Sequence, residues 1–296
     1  HLLIDRRLGD LELFKQIVNE LHERGMRVLL DGVFHHTGRS FFAFRDVRRR
    51  GLQSEYANWY RINPNTDTRF HDGFSYAYWR SHPELPKLNL GHAATRDYIF
   101  DVARYWMSQT GADGWRLDVA EDISPAFWAE FREQCKRERP DCLLIGEAIH
   151  EDYRRIVGPH WLDAATNYQL CPAIWRSIRD QNFFDLRHNL DRDRRIYGRL
   201  LLMNFLGNHD VTRIHSQFDQ PRHYFPAALY LLTGHHIPCL YYGDECGMTG
   251  RKEDGDEALR QPMPDPDGHW PDDSRQIYHA TARLVRLRRE QPVLRH

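Results

Sequence analysis

Three carboxylates of this sequence stand at the ends of apolar segments that are long enough to form buried strands. Asp118 ends the segment GWRLD, Glu147 ends LLIGE and Asp210 ends FLGNHD. Carboxyl groups can serve as nucleophiles or as proton donors when their surroundings keep one ionised and another protonated. The sequence therefore predicts a site for carboxylate chemistry, assembled from three separate segments of the chain.

The best defined of these carboxylates is Asp118, because an arginine stands two residues before it. Side chains two residues apart in a strand point to the same face, so Arg116 is expected to hold Asp118 in its ionised form. A carboxylate nucleophile requires that form. The alternative from these residues alone is a structural ion pair at the end of a strand.

Glu147 and Asp210 have different surroundings. Glu147 follows an apolar run and a glycine, where partial desolvation would raise its pKa and suit it to proton donation. A helix-capping or solvated glutamate is the alternative for this residue. Asp210 follows Asn208 and His209, which offer neutral hydrogen-bond donors, and it is predicted to be the third carboxylate of the site.

Two adjacent histidines, His35 and His36, follow the apolar segment MRVLLDGVF. Neighbouring side chains of an extended segment point to opposite sides, so we expect that these two do not bind one metal ion together. This disfavours a dinuclear metal hydrolase, and we predict no metal ligands. His36 is predicted to reach the site and donate to a substrate hydroxyl, whereas a packing role and a functional role are equally open for His35.

Helices and apolar strands alternate along the chain, which indicates a parallel α/β fold. Helices are predicted over residues 11–24, 98–109, 126–137 and 225–233. Six strands are predicted, over residues 26–34, 111–119, 142–148, 163–169, 201–210 and 237–245. Each strand ends in polar residues, and the active site of a (β/α)8 barrel lies at the C-terminal strand ends. The polar residues are therefore expected to meet at one mouth.

The predicted fold class is an α/β (β/α)8 TIM barrel that lacks its first two strands, since only six strands are counted. Residues 1–36 and 93–296 form the partial catalytic barrel. Residues 37–92 are too long for an ordinary connection, and are expected to form a small subdomain inserted after the third barrel strand, over the active-site mouth. We expect that this stretch does not fold alone, and that the missing strands exist in the parent protein or in a second chain.

Composition excludes some classes of partner. Lys and Arg total 41 against 42 for Asp and Glu, so the net charge of −1 provides no attraction for a nucleic acid or an anionic membrane. No stretch approaches the roughly 20 apolar residues of a membrane span. The five cysteines are odd in number and lack metal-ligand spacing, which predicts reduced packing residues and favours a cytoplasmic location.

The order of the motifs identifies a family resemblance. The sequence resembles glycoside hydrolase family 13, the α-amylase family, and within it the branch of cyclomaltodextrinase, neopullulanase and maltogenic amylase. Five segments look like its conserved regions and a sixth like the strand-eight signature: DGVFHH (31–36), LPKLN (85–89), GWRLDVAED (114–122), LLIGEA (143–148), FLGNHD (205–210) and IPCLYYGDE (237–245). The family's C-terminal β-sandwich has no counterpart in this sequence.

The resemblance implies retaining hydrolysis of α-1,4 bonds in maltodextrins or related oligosaccharides. It implies that Asp118 is the nucleophile, that Glu147 is the acid/base and that Asp210 binds and distorts the sugar. It also implies substrate-binding roles for four further residues: His36, Arg116, His209 and Arg213. No organic cofactor is expected. The alternatives are a transglycosylase or isomerase, and a non-catalytic carbohydrate-binding relative.

Some details depart from the family pattern or stay open. His35 stands where the family commonly has an asparagine that helps to bind calcium, so a structural calcium is not predicted. Ile149 replaces the tryptophan typical of the branch, which leaves open a preference for cyclodextrin or pullulan. Among the aromatics of the insertion, Tyr76 and Trp79 are the first choices for sugar contact, with packing as the alternative. A homodimer is also left open.

Overall fold

A computed structural model describes residues 1–150, 152–265, 267–268 and 270–295. The chain forms two compact units. The first contains His1–Glu147 and Arg155–Asp163, and the second contains Ala148–Arg154 and Ala164–His296.

The first unit combines helices with parallel and antiparallel strands. Its helices are α1 (Leu11–Glu23), α2 (Phe42–Arg50), α3 (Ala93–Thr110) and α4 (Pro125–Glu138). Its strands are β1 (Leu29–Gly32), β2 (Ile62–Asn63), β3 (Ser75–Tyr76), β4 (Tyr78–Trp79), β5 (His82–Pro86), β6 (Gly114–Leu117) and β7 (Leu143–Gly146).

Strands β1, β6 and β7 pair in parallel, in that order. The register places Asp31 beside Arg116 and Leu117 beside Gly146. Gly114 permits the close approach of β6 to β7, because a Cβ atom there would lie 1.9 Å from the carbonyl oxygen of Leu143. The three strands therefore end side by side.

Helix α4 packs an aromatic face behind these strands. Ser124 caps the helix by accepting a hydrogen bond from the Phe127 N–H, and Pro125 occupies the first turn, where its missing N–H costs nothing. Phe131 is fully buried and its ring centroid lies 5.6 Å from that of Phe34. This contact fixes the chain just beyond β1.

Residues 37–92 contain α2 and two antiparallel pairs, β2 with β3 and β4 with β5. Their aromatic side chains form a core in which Phe44, Tyr60 and Tyr76 pack edge to face. These residues belong to the first compact unit. A separate subdomain over the mouth stays a prediction.

The second unit is built on three parallel strands, in the order β8, β9, β10. The strands are β8 (Ala164–Thr166), β9 (Leu201–Phe205) and β10 (Ile237–Cys239). The helices are α5 (Cys171–Arg179), α6 (Phe184–Ile196), α7 (Tyr224–Thr233), α8 (Asp256–Leu259) and α9 (Asp272–Glu290). Leu170, Tyr224, Leu231 and Ile277 belong to its apolar core.

The six predicted strands are present, each shorter than its apolar segment. Helix α6 was not predicted, because its sequence FDLRHNLDRDRRI is too polar for an apolar stripe to stand out. Helix α2 was not predicted, because no individual helix or strand was assigned within residues 37–92. Among the described helices, none is both long enough and apolar enough to cross a membrane.

Asp113 lies at the N-terminal end of β6, and its substitution tests what stabilises the first unit. Its carboxylate accepts from the Val28 N–H (2.8 Å), contacts His22 Nε2 (2.8 Å) and pairs with Arg139 Nη1 (2.5 Å). Burial alone would raise the pKa of Asp113, but the hydrogen bonds and the two basic neighbours outweigh it and lower the pKa below its ordinary value.

We therefore expect Asp113→Asn to lower the free energy of unfolding at neutral pH by about 3 kcal/mol. Because the folded pKa is lowered, the contribution of the ionised group is fully present above the ordinary aspartate pKa of about 3.9 and is lost as the pH falls through the folded value. Urea unfolding of variant and wild type at neutral and acidic pH measures this difference. Asp141→Asn, whose partner Arg27 is well exposed, is the control and should change stability little. A difference for Asp113→Asn that grows in acid would contradict the prediction.

Candidate active site

Arg116 and Asp118 lie on the same face of the chain at the end of β6, as the sequence predicted. Arg116 Nη1 is 2.7 Å from Asp118 Oδ1. Both side chains are about four-fifths buried, so the ion pair is only weakly screened by water. The contact thus pairs the carboxylate of Asp118 with a guanidinium.

Glu147 follows β7 and shares the same guanidinium. Its Oε1 lies 2.9 Å from Arg116 Nη2, and its Oε2 accepts a hydrogen bond from the Val119 N–H at 3.2 Å. The residue is 6% exposed, so the predicted burial is confirmed. One guanidinium thus contacts both carboxyl groups, which is compatible with the separation of about 5 Å in a retaining pair.

Asp31 is a member of this cluster that was not predicted as a site residue. Its Oδ1 lies 3.0 Å from Arg116 Nη1, because β1 and β6 place the two residues side by side in register. Burial alone would lower the pKa of Arg116, but Glu147, Asp31 and Asp118 raise it above its ordinary value. Two signals were available, the position of Asp31 at the end of an apolar strand and its place as the first residue of the DGVFHH segment.

Arg116→Met tests how far this guanidinium stabilises the first unit. The substitution leaves three carboxylates without their shared cation, and Glu147 is too buried to be solvated instead. We expect the free energy of unfolding to fall by about 3 kcal/mol or more at neutral pH. Urea unfolding measures the loss. The control Arg27→Met removes an exposed pair and should have a small effect, and equal losses in the two variants would contradict the prediction.

His35 and His36 contact each other. Their Nδ1 atoms are 3.2 Å apart and their rings are nearly perpendicular, so the prediction that they point fully apart is wrong at these atoms. Burial, with the charge of Lys87 next in importance, lowers the pKa of His35 to about 4 and lowers that of His36. Both rings are therefore neutral at pH 7 and retain one N–H donor each.

His35 and Lys87 also face a third group, Asp122, in the chain after β6. His35 Nε2 and Lys87 Nζ each lie 3.7 Å from Asp122 Oδ2.

Within the described part of the chain, no three His, Cys, Asp or Glu side chains are grouped so that they could hold a metal ion.

The two aromatic candidates of the insertion differ in exposure. Trp79 is partly exposed and stacks on His36, with ring centroids 5.6 Å apart. Tyr76 is 4% exposed, and its hydroxyl donates to the carbonyl of Pro83 at 2.6 Å and accepts from Arg39. The prediction of Tyr76 as a sugar contact is therefore wrong for this arrangement, because its ring is part of the packed core.

Asp210 and His209 lie together in the second unit, in the chain after β9. His209 Nε2 is 3.1 Å from Asp210 Oδ2, and Arg260 Nη2 is 3.1 Å from Asp210 Oδ1. The Asp210 N–H donates to the side chain of Asn208 at 2.9 Å. Arg260 was not predicted, because it lies 50 residues further along the chain in a polar segment.

Arg213 was predicted to contact the sugar, and the structure corrects this prediction. Its side chain is fully buried. Nε donates to the Leu259 carbonyl at 3.0 Å and Nη1 donates to the Tyr242 carbonyl at 2.8 Å. Since these acceptors belong to the protein and no part of the group reaches the surface, Arg213 presents nothing to a ligand.

A cavity of about 460 Å³ lies in the second unit. Its lining includes Ile149, two residues after Glu147 in sequence, and Val211, directly after Asp210. Aromatic rings of Tyr168, Trp175 and Phe205 also line it. Apolar surface with aromatic faces suits the carbon-rich faces of a sugar.

Comparison with known proteins decides the family. Residues 2–281 match the model of the alpha-amylase family, described as the alpha amylase catalytic domain. The chain belongs to the alpha-amylase family. The resemblance seen in the motifs is thereby confirmed.

Two relatives are similar to this chain over most of its length. A cyclomaltodextrinase of a Bacillus species is 37% identical over 261 residues, which are 85% of this chain and 46% of that protein. Neopullulanase 2 of Thermoactinomyces vulgaris is 36% identical over 300 residues, 97% of this chain and 49% of that protein. The chain therefore spans about half the length of these alpha-amylase relatives.

Solved structures support the same placement. A cyclic alpha-maltosyl-(1→6)-maltose hydrolase from Arthrobacter globiformis superposes with a TM-score of 0.89 at 29% identity, over 99% of this chain and 66% of that one. A cyclomaltodextrinase structure gives a TM-score of 0.84 at 33% identity, over 99% of this chain and 50% of that one. The fold is thus the TIM-barrel-like fold of the alpha-amylase family.

Proposed function

We propose that the protein hydrolyses α-1,4 bonds of maltodextrins or related oligosaccharides with retention of anomeric configuration. The observation that carries this proposal is the single guanidinium of Arg116, which contacts both Asp118 and Glu147 at the ends of neighbouring strands of an alpha-amylase catalytic domain. The names of the relatives support substrates built from maltose units.

The proposed reaction has two steps. In the first, a carboxylate oxygen of Asp118 bonds to the anomeric carbon while the bond to the leaving oxygen breaks and Glu147 gives that oxygen its proton. In the second, Glu147 takes a proton from water, the water oxygen bonds to the anomeric carbon and Asp118 is released. Two inversions at one carbon give net retention.

The contact between Arg116 and Glu147 bears on the first step. It favours the ionised form of Glu147, which is the form required as a base in the second step. A proton donor must be neutral, so we propose that this pair opens when substrate enters and that Arg116 then stays with Asp118 and Asp31.

The other site residues have binding roles in this proposal. Asp210, beside His209, holds sugar hydroxyl groups and favours the distorted ring of the transition state. His36 is neutral and donates a hydrogen bond to a sugar hydroxyl, and Trp79, stacked on His36, extends the contact surface. The cavity lined by Ile149, Tyr168 and Trp175 takes a sugar of the substrate.

Several finer points are part of the same proposal. The six parallel strands correspond to strands three to eight of the barrel, and residues 37–92 form the subdomain inserted after the third. The reaction uses no organic cofactor and no structural calcium. A homodimer and a cytoplasmic location complete the proposal, and the location is supported by five free cysteines and by a relative named intracellular maltogenic amylase, 33% identical over 264 residues.

The test is the early product spectrum of the full-length protein with maltotriose. Proton NMR is expected to show the α-anomer of the new reducing end before mutarotation, and the Asp118→Asn variant, prepared in parallel, controls for contaminating amylase. A β-anomer as first product would contradict retention. Early accumulation of products longer than maltotriose would assign net glycosyl transfer instead, and unchanged maltotriose would remove the enzymatic proposal.

A further inference from the structure

Arg213 is the largest charged side chain that is fully buried in the described part of the chain. Its backbone N–H donates to the carbonyl of Gly250 at 3.0 Å. Its guanidinium lies over the ring of Tyr241, 4.3 Å from the centroid, and 3.4 Å from the carboxylate of Asp244. Burying a guanidinium costs free energy. Its contacts with these protein groups must therefore offset that cost.

The contacts of this guanidinium join two separate stretches of the second unit. Nη1 reaches the Tyr242 carbonyl in the chain after β10, and Nε reaches the Leu259 carbonyl at the end of α8. The hydroxyl of Tyr241 also donates to the Leu259 carbonyl, at 3.1 Å. Leu259 is itself fully buried. Arg213 therefore helps to fix the backbone at Leu259.

Residue 259 immediately precedes the arginine that holds Asp210. Arg260 Nη2 lies 3.1 Å from Asp210 Oδ1, and its Nε donates to the His209 carbonyl at 3.3 Å. A second carboxylate, Asp256, lies 3.3 Å from the same Nη2. Asp210 and Arg260 are both partly exposed, so their contact depends on how the backbone at 259–260 is held and not on burial.

We propose that Arg213 is a positioning residue for the reaction, which acts by fixing the Leu259–Arg260 backbone and so placing Arg260 against Asp210. This inference rests on the proposed function of Asp210. A lysine cannot replace Arg213, because three donors in a planar fork are needed to reach the two carbonyls and Asp244 at once. The three donors of a lysine ammonium all lie on one nitrogen, so they do not match acceptors that are arranged around Nε and Nη1.

The variants Arg213→Lys and Arg260→Gln and the double variant test this in the full-length protein. Arg213→Lys is expected to lower kcat/KM on maltotriose roughly tenfold to hundredfold, mainly through kcat, because Asp210 is displaced in the transition state. The double variant is expected to lose no more than the worse single variant, since both remove one contact. Arg251→Lys, an exposed arginine in the same stretch, is the matched control and should keep its kcat/KM.

Two results with these variants in solution would overturn the inference. One is multiplication of the two losses in the double variant, which would mean that Arg213 does not act through Arg260. The other is a lowered unfolding midpoint with kcat/KM unchanged in Arg213→Lys, which would leave Arg213 a structural residue alone.

A measurement that needs no activity separates this inference from the proposed function. A crystal structure of Arg213→Lys is expected to show Arg260 Nη2 out of hydrogen-bond range of Asp210 Oδ1, whereas the distance retained at 3.1 Å would overturn positioning even if no α-glucan is cleaved. If Arg213→Lys does not fold, Gln261→Ala loosens the same backbone from the surface, because Gln261 Nε2 donates to the carbonyls of Thr249 and Ala258. In that variant, a displaced 259–260 backbone with an intact contact between Arg260 and Asp210 would overturn the inference, because the contact would then not depend on that backbone.

Discussion

Asp118→Asn is expected to lower kcat on maltotriose by at least roughly 10⁴-fold while leaving the fold intact. The amide cannot bond to the anomeric carbon as a carboxylate does, so the covalent intermediate is lost. Arg116 keeps its contacts with Asp31 and Glu147 in this variant, and stability should change less than it does in Arg116→Met. Steady-state kinetics and urea unfolding measure the two effects. Asp97→Asn, an exposed carboxylate on α3, is the matched control and should keep wild-type kinetics.

The stereochemistry of a rescued reaction tests the role of Asp118 more sharply than the loss of rate. In Asp118→Ala a small anion such as azide can occupy the space of the carboxylate and attack the anomeric carbon directly. One inversion then converts the α-linked substrate into a β-glycosyl azide. An α-glycosyl azide from this variant would show that the nucleophile is still present, and another residue would then hold that role.

Glu147→Gln is expected to lower kcat on maltotriose by about 10³-fold, because the glutamine amide cannot protonate the leaving oxygen. The loss should be much smaller for the first step on α-maltosyl fluoride, whose leaving group needs no proton. The second step also lacks its base, so the glycosyl-enzyme should accumulate. Mass spectrometry of the intact variant after mixing with the fluoride is expected to show one added maltosyl group.

The two substrates distinguish a proton donor from a residue that only shapes the site. Equal losses on maltotriose and on the fluoride would contradict the assignment of Glu147. The neighbouring arginine offers a further control. Arg116→Met disturbs Asp118 and Glu147 together, so it should slow the reaction of maltotriose and of the fluoride alike. A selective loss on maltotriose is therefore specific to the proton.

Local patterns predicted the parts of the molecule that depend on neighbours in sequence. The alternation of side chains along a strand was sufficient for Arg116 and Asp118, and their contact is 2.7 Å long. Apolar runs bounded by turn residues located all six parallel strands. The polar helix α6 was not predicted, because α-helical periodicity is visible in a sequence only when one face of the helix is apolar.

Other assignments failed or were missed because they depend on residues far apart in the chain. Arg213 and Tyr76 are of the right chemical types to bind a sugar, yet both are buried and bonded to protein atoms. Arg260 lies in a segment with no motif, and only the folded second unit places it on Asp210. Sequence shows which groups are available, and burial decides which of them a ligand can reach.

The sequence by itself determined the family and the segments that form the strands, because these are properties of residue type and spacing, and it predicted which three carboxylates form the site. The tertiary structure alone decided that Arg116 is shared by Asp31, Asp118 and Glu147. It also decided that Arg213 is buried against the Leu259 carbonyl, whereas Arg260 is the arginine that contacts Asp210. The physical reason is that a charge–charge contact depends on distance and desolvation, and both are set by strand register and packing between residues that sequence separates by tens of positions.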